Sequence, residues 1–145
     1  MSKGMDYDEY RVDDHNKIFT ISINGKVQRQ FKTYDGSLYN DNGPADIEYY
    51  DNGKIKRIAY FKSIKHQFAY NDNGPAIIEY YENGNEKYVM YNTREGIGPH
   101  RLNGPAVTFY YSNKDIKEEF YYLNGEIIED ELKIEMLKSY VSERS

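Results

Sequence analysis

A chain of 145 residues with a net charge of −5, a pI near 5.2, 17 tyrosines and no cysteine has room for one domain or one short repeat array. The missing cysteine excludes disulfides and thiolate metal sites and suits a reducing, intracellular compartment. The acidic balance argues against nucleic acid as a partner, and apolar runs of five residues at most argue against a membrane span or a signal peptide.

Residues 1–17 (MSKGMDYDEYRVDDHNK) are charged and aperiodic, and read as a flexible N-terminal tail. A repeat array is expected over residues 18–129. It opens with Asn24-Gly25 between the strand-like segments FTISI and KVQRQF, followed by a second turn at Asp35-Gly36. The string Asn-Gly-Pro-Ala then occurs at Asn42–Ala45, Asn73–Ala76 and Asn103–Ala106, at spacings of 31 and 30 residues. Each copy leads into a run ending in two tyrosines (DIEYY, IIEYY, VTFYY) and then a turn at Asn52-Gly53, Asn83-Gly84 or Asn113-Lys114. Asn-Gly between β-prone runs is a hairpin signal, because a type I′ turn needs positive φ at both central residues. In each Gly-Pro, proline supplies no ladder donor and glycine takes backbone angles that other residues avoid, so the pair should bend the chain into a strand. The segment KSIKHQFA lacks a turn glycine and reads as an irregular loop, whereas the second unit closes at Gly96–Gly98 and the third at Asn124-Gly125. The fold class is therefore all-β: a single-layer twisted antiparallel β-meander of about 30-residue repeats. Residues 130–145 read as a C-terminal α-helix and tail, with Leu132, Met136 and Tyr140 as the apolar stripe. The helix either caps the open end of the array or binds a partner.

The motifs YDGSLYNDNGPADIEYYDNG and GIGPHRLNGPAVTFYYSN resemble the MORN-repeat variant family, common in giant DNA viruses, with looser similarity to YwqK-type antitoxin components of bacteria. Only His100-Arg101 matches that family's His-Arg pair; Tyr39-Asn40 and Tyr70-Asn71 replace it elsewhere. The resemblance implies an intracellular, non-catalytic protein-interaction or scaffold module, in host cytoplasm or virion. The alternatives it carries are a lipid-surface module and an antitoxin-like inhibitor of a protein partner. The acidic charge argues against the membrane surface.

A two-residue turn at Asn52-Gly53 would oppose Tyr49 to Lys56, and the equivalent turns would oppose Tyr80 to Lys87 and Tyr110 to Lys117. This recurrent pairing marks Tyr49, Lys56, Tyr80, Lys87, Tyr110 and Lys117 as the candidate partner-binding face. Two readings stand beside each other. The lysine stems and tyrosine rings either cover one another, or form a track for an acidic or extended protein. The opposite face, with Glu48 against Arg57 and Glu79 near Tyr88, shows no recurring chemistry. Open sheet edges also allow a homo-oligomer.

No catalytic, cofactor-binding or metal constellation is legible. His15, His66 and His100 are isolated, serines lack a nucleophile context, and the glycines are turn glycines rather than a phosphate cradle. The chain reads as a protein without enzymatic activity or cofactor. The Asp13-Asp14-His15 run is metal-like in composition but falls in the expected tail.

Overall fold

The computed structural model describes residues 4–64 and 68–144, with helical side chains described as far as Lys138. The strands are β1 (Met5–Arg11), β2 (Asn16–Ile23), β3 (Lys26–Tyr34), β4 (Ser37–Leu38), β5 (Asp46–Tyr49), β6 (Ile55–Ala59), β7 (Ile77–Tyr80), β8 (Glu86–Met90), β9 (Val107–Tyr110), β10 (Ile116–Leu123) and β11 (Glu126–Ile128). The helix α1 spans Glu131–Arg144. All strands belong to one open antiparallel sheet in chain order, with β4 paired to β3 beside the main path. The all-β meander with a C-terminal helix is thus the architecture.

The strand residues explain the layout. A row of β-branched residues runs across the sheet, Ile47 opposite Ile58, Ile58 opposite Ile78, Ile78 opposite Val89, and Val89 opposite Thr108. Such pairs stabilise neighbouring strands by about 0.2–1 kcal/mol each. Nothing large is fully buried among the described residues; the most buried positions are small, Ala45, Ala59, Ala76 and Ala106, each at 0–1% exposure. The core of a one-layer sheet is a seam of close backbone approach rather than a volume. At each strand entry the alanine after the proline bonds both neighbours. Ala76, for example, donates to Met90 O (2.8 Å) and accepts from Tyr60 N (2.8 Å).

The N-terminus corrects the sequence reading. Residues 5–11 are no tail but the edge strand β1, paired with β2 from Met5–Ile23 to Arg11–Lys17. Its charged sequence is tolerated because every residue of β1 is exposed, which suits an edge strand. Tyr7 lies 5.7 Å from Phe19, and Lys17 bridges Glu9 at 3.3 Å. Asp13 makes the turn: its Oδ1 accepts from His15 N (2.8 Å) and Asn16 N (2.7 Å), and these bonds hold its pKa below the ordinary value. The metal-like run is a turn.

The helix is a second correction. Leu132 and Met136 are 70% and 64% exposed, so the stripe expected to cover the sheet faces solvent; the side chain of Tyr140 lies outside those described. Ile134 turns inward instead, and it and the exposed Lys138 line a groove of about 510 Å³ with Phe120 and Tyr121 of β10. Lys138 Nζ lies 6.0 Å from the Tyr121 ring centroid. The helix start is set by Asp130, whose Oδ1 accepts from Leu132 N (2.9 Å) and Lys133 N (3.3 Å).

Candidate functional site

The turns decide which side chains meet. Asn24-Gly25, Asp35-Gly36 and Asn124-Gly125 have positive φ at both residues, as a type I′ turn requires. At the repeated turns only the second residue is left-handed: Gly53 at +85°, Gly84 at +91° and Lys114 at +81°. There Gly53 N bonds Tyr50 O (2.9 Å) and Tyr50 N bonds Lys54 O (2.8 Å), a three-residue loop closing on a left-handed residue. The asparagine serves through its side chain. Asn52, Asn83 and Asn113 each accept, through Oδ1, the N–H two residues on at 2.9–3.0 Å.

This extra loop residue shifts the register beside the turn and returns it through a bulge. Glu48 opposes Arg57 as expected, but Tyr49 opposes Ile55 and Lys56 is left over. Lys87 and Lys117 are skipped in the same way. The expected Tyr49–Lys56, Tyr80–Lys87 and Tyr110–Lys117 pairs are therefore replaced. Each bulged lysine lies over the next tyrosine: Lys56 over Tyr50 (5.8 Å), Lys87 over Tyr81 (5.7 Å) and Lys117 over Tyr111 (5.9 Å). All three lysines are exposed. The shift could not be read from Asn-Gly, which also serves the tighter turn. One clue was available, since Asn113-Lys114 preserves the asparagine but not the glycine.

Tyr49, Tyr80 and Tyr110 are half-buried, with no cation over their rings among the described residues. Burial pushes the Tyr80 and Tyr110 phenols above their ordinary pKa, with smaller contributions from Glu86 beside both. A second cation set recurs further along the strands, with Lys62 over Tyr60 (5.8 Å), Arg101 over Tyr91 (4.1 Å) and Lys138 over Tyr121 (6.0 Å).

The Asn-Gly-Pro-Ala loops also differ from expectation. Gly43, Gly74 and Gly104 do not adopt left-handed angles; Gly104 makes room for Arg101, whereas a Cβ on Gly43 or Gly74 would meet Asn40 or Asn71 at ordinary contact distance (3.7 and 3.5 Å). Asn40 and Asn71 donate through Nδ2 to the Pro44 and Pro75 carbonyls (3.1 and 3.2 Å), and Arg101 donates through Nη1 to Pro105 O (3.3 Å). A Cβ on Gly104 would stand 3.1 Å from Arg101 Nη1. In the third loop Gly104 is the floor on which the Arg101 guanidinium rests.

The opposite sheet face is more ordered than its sequence suggested. Arg29 holds the nearly buried Asp46 through two 2.8 Å hydrogen bonds and lies 4.4 Å from the Phe31 centroid. Arg57 stands between Glu48 (3.7 Å) and Glu79 (3.8 Å), and Tyr88, Phe109 and Phe120 continue the row as ring contacts. Among the described residues no group of three or more His, Cys, Asp or Glu side chains could hold a metal ion, and no helix is long and apolar enough to cross a membrane. His15 bonds Asp35 (2.9 Å), and His66 lies outside the described residues.

No family model, curated protein or solved structure matches this chain.

Proposed function

We propose that this chain is a non-catalytic protein-interaction or scaffold module built from MORN-variant-like repeats, working inside the cell. The observation that supports it best is the row of tyrosines topped by exposed lysines, Tyr50–Lys56, Tyr81–Lys87 and Tyr111–Lys117, repeated once per unit. Neighbouring strands lie about 4.8 Å apart, so successive pairs stand roughly 10 Å apart, a spacing suited to an extended or acidic protein segment. A ring gives broad contact area at little entropic cost, and a bulged lysine gives a mobile charge complementary to an acidic segment. The setting in a giant-virus-infected cell rests on the family resemblance alone.

The test replaces Lys56, Lys87 and Lys117 together by Met. The reading expects unchanged melting, because the aliphatic stems remain, and weaker capture of the protein that the wild-type chain retains from its native cell, most visibly at low salt. Equal capture by both chains removes the lysine row from function. Salt-sensitive co-sedimentation of the wild type with anionic vesicles would move the reading to a lipid surface.

A further inference from the structure

Between the loops of the second and third repeats lies a groove of about 540 Å³, whose wall includes Tyr70, Asn73, Thr93, Arg94, His100 and Arg101. Arg101 stands where the earlier units carry Asn40 and Asn71, and it inherits their bond to the proline carbonyl. A guanidinium has donors to spare after that duty. Its Nε donates to Asn103 Oδ1 (2.9 Å), its plane lies 4.1 Å from the Tyr91 centroid, and Gly104 closes on its inner edge. The group is thus held on three sides, and its Nη2 has no protein acceptor among the described residues. Beside it, His100 Nδ1 accepts from Asn124 N at 2.9 Å, which places the ring proton on Nε2. That N–H also has no protein acceptor among the described residues.

We infer that His100 and Arg101 form a carboxylate-binding site, independent of the lysine row and of the interaction reading built on it. A fixed guanidinium with Nη2 unpaired among the described residues offers a charge-assisted donor to a carboxylate oxygen, and the preorganisation lowers the ordering cost of binding. The imidazole Nε2–H supplies a further donor in the same groove. Charge selects against a dianion. Asp72 and Glu95 line the groove with Arg94 and Arg101, so the two cations are balanced and a phosphate meets two carboxylates. A singly charged carboxylate needs only the Arg101 Nη2 donor and the imidazole N–H beside it. Its source is either a free small acid or an aspartyl or glutamyl side chain of another protein.

The repeat supplies its own control variant. Arg101→Asn installs the residue of the two equivalent positions, which keeps the bond to the proline carbonyl while removing the fork. The full chain, labelled with nitrogen-15, is titrated with sodium acetate and, separately, with an end-blocked peptide holding one glutamate, at ionic strength held constant with sodium chloride. Saturable shifts are expected at the His100 and Asn124 amides and at the Arg101 Nε–H. For R101N the affinity should fall about tenfold or more, the usual effect of losing charge-assisted bonds. Should R101N fail to fold, Arg101→Lys keeps the charge without the fork and must also bind more weakly. Tighter binding of the peptide assigns the site to a protein side chain, and tighter binding of acetate to a small acid. Equal affinity in wild type and variants, or shifts that sodium chloride alone reproduces, overturns the site. Inorganic phosphate binding more tightly than acetate overturns the choice of carboxylate.

Discussion

The phenol of Tyr50 donates a 2.6 Å hydrogen bond to the backbone carbonyl of Tyr80, its near-equivalent one repeat on, and Tyr81 does the same to Tyr110 at 2.7 Å. These bonds tie the turn end of one hairpin to the next, where the strands have already stopped pairing. Tyr111 has no further repeat to reach, and it is 51% exposed. Tyr50→Phe and Tyr81→Phe should therefore each lower stability by about 0.5–1.5 kcal/mol, and Tyr111→Phe should be near neutral. Urea denaturation of the three variants checks this; equal losses at all three would remove the clamp from the account.

Two nearly identical segments differ at Asp46 and Ile77, and the neighbours explain why. Asp46 is 6% exposed and meets Arg29 of β3, whereas Ile77 meets Ala59 and Met90. Arg29→Met strands a buried carboxylate and should cost about 3–5 kcal/mol. Adding Asp46→Ile, the residue of the next repeat, should recover most of that loss. A double variant as unstable as the single one would show that the site needs the ion pair itself.

Lys114 sits at a φ of +81°, where the equivalent turns have glycine. A side chain there costs roughly 1–2 kcal/mol, so Lys114→Gly should raise stability and Gly53→Ala should lower it by a comparable amount. Opposite shifts in melting temperature are the expected readout.

Alkaline pH should unfold this protein. Burial pushes the phenols of Tyr50, Tyr70, Tyr80, Tyr88, Tyr110 and Tyr121 above the ordinary value of 10.0. The native chain therefore keeps protons that the unfolded chain has released, and stability falls as pH rises. The contribution is complete below about pH 10 and is lost as pH climbs through the raised values. Melting curves with phenolate absorbance should show unfolding and tyrosine ionisation together; ionisation of every tyrosine without unfolding would contradict the burial.

The helix should be held by Ile134 rather than by its longer apolar stripe. Ile134→Ala should cost about 1 kcal/mol, whereas Met136→Ala should stay within roughly 0.5 kcal/mol. Thermal melts of the two variants decide between the inward faces.

The repeat, its period, the turn positions and the antiparallel order follow from local sequence, because Asn-Gly, Gly-Pro and alternating β-branched residues act on their immediate neighbours. The inner register, Ile47 with Ile58 and Glu48 with Arg57, is legible for the same reason. What the sequence could not determine depends on single-residue offsets and on remote partners. One extra residue in the loop moved Lys56 from Tyr49 to Tyr50, and Asn-Gly serves both turns, so only the missing glycine at Asn113-Lys114 pointed to the longer loop. The charged segment at residues 5–11 became a strand only because β2 offers an edge, and an edge strand needs no apolar face. The clamps from Tyr50 to Tyr80 and the seat of Arg101 on Tyr91 join residues far apart along the chain or across a loop. Such contacts exist only after the sheet has stacked the repeats, since it is the spacing of strands, not the spacing of letters, that brings them within reach.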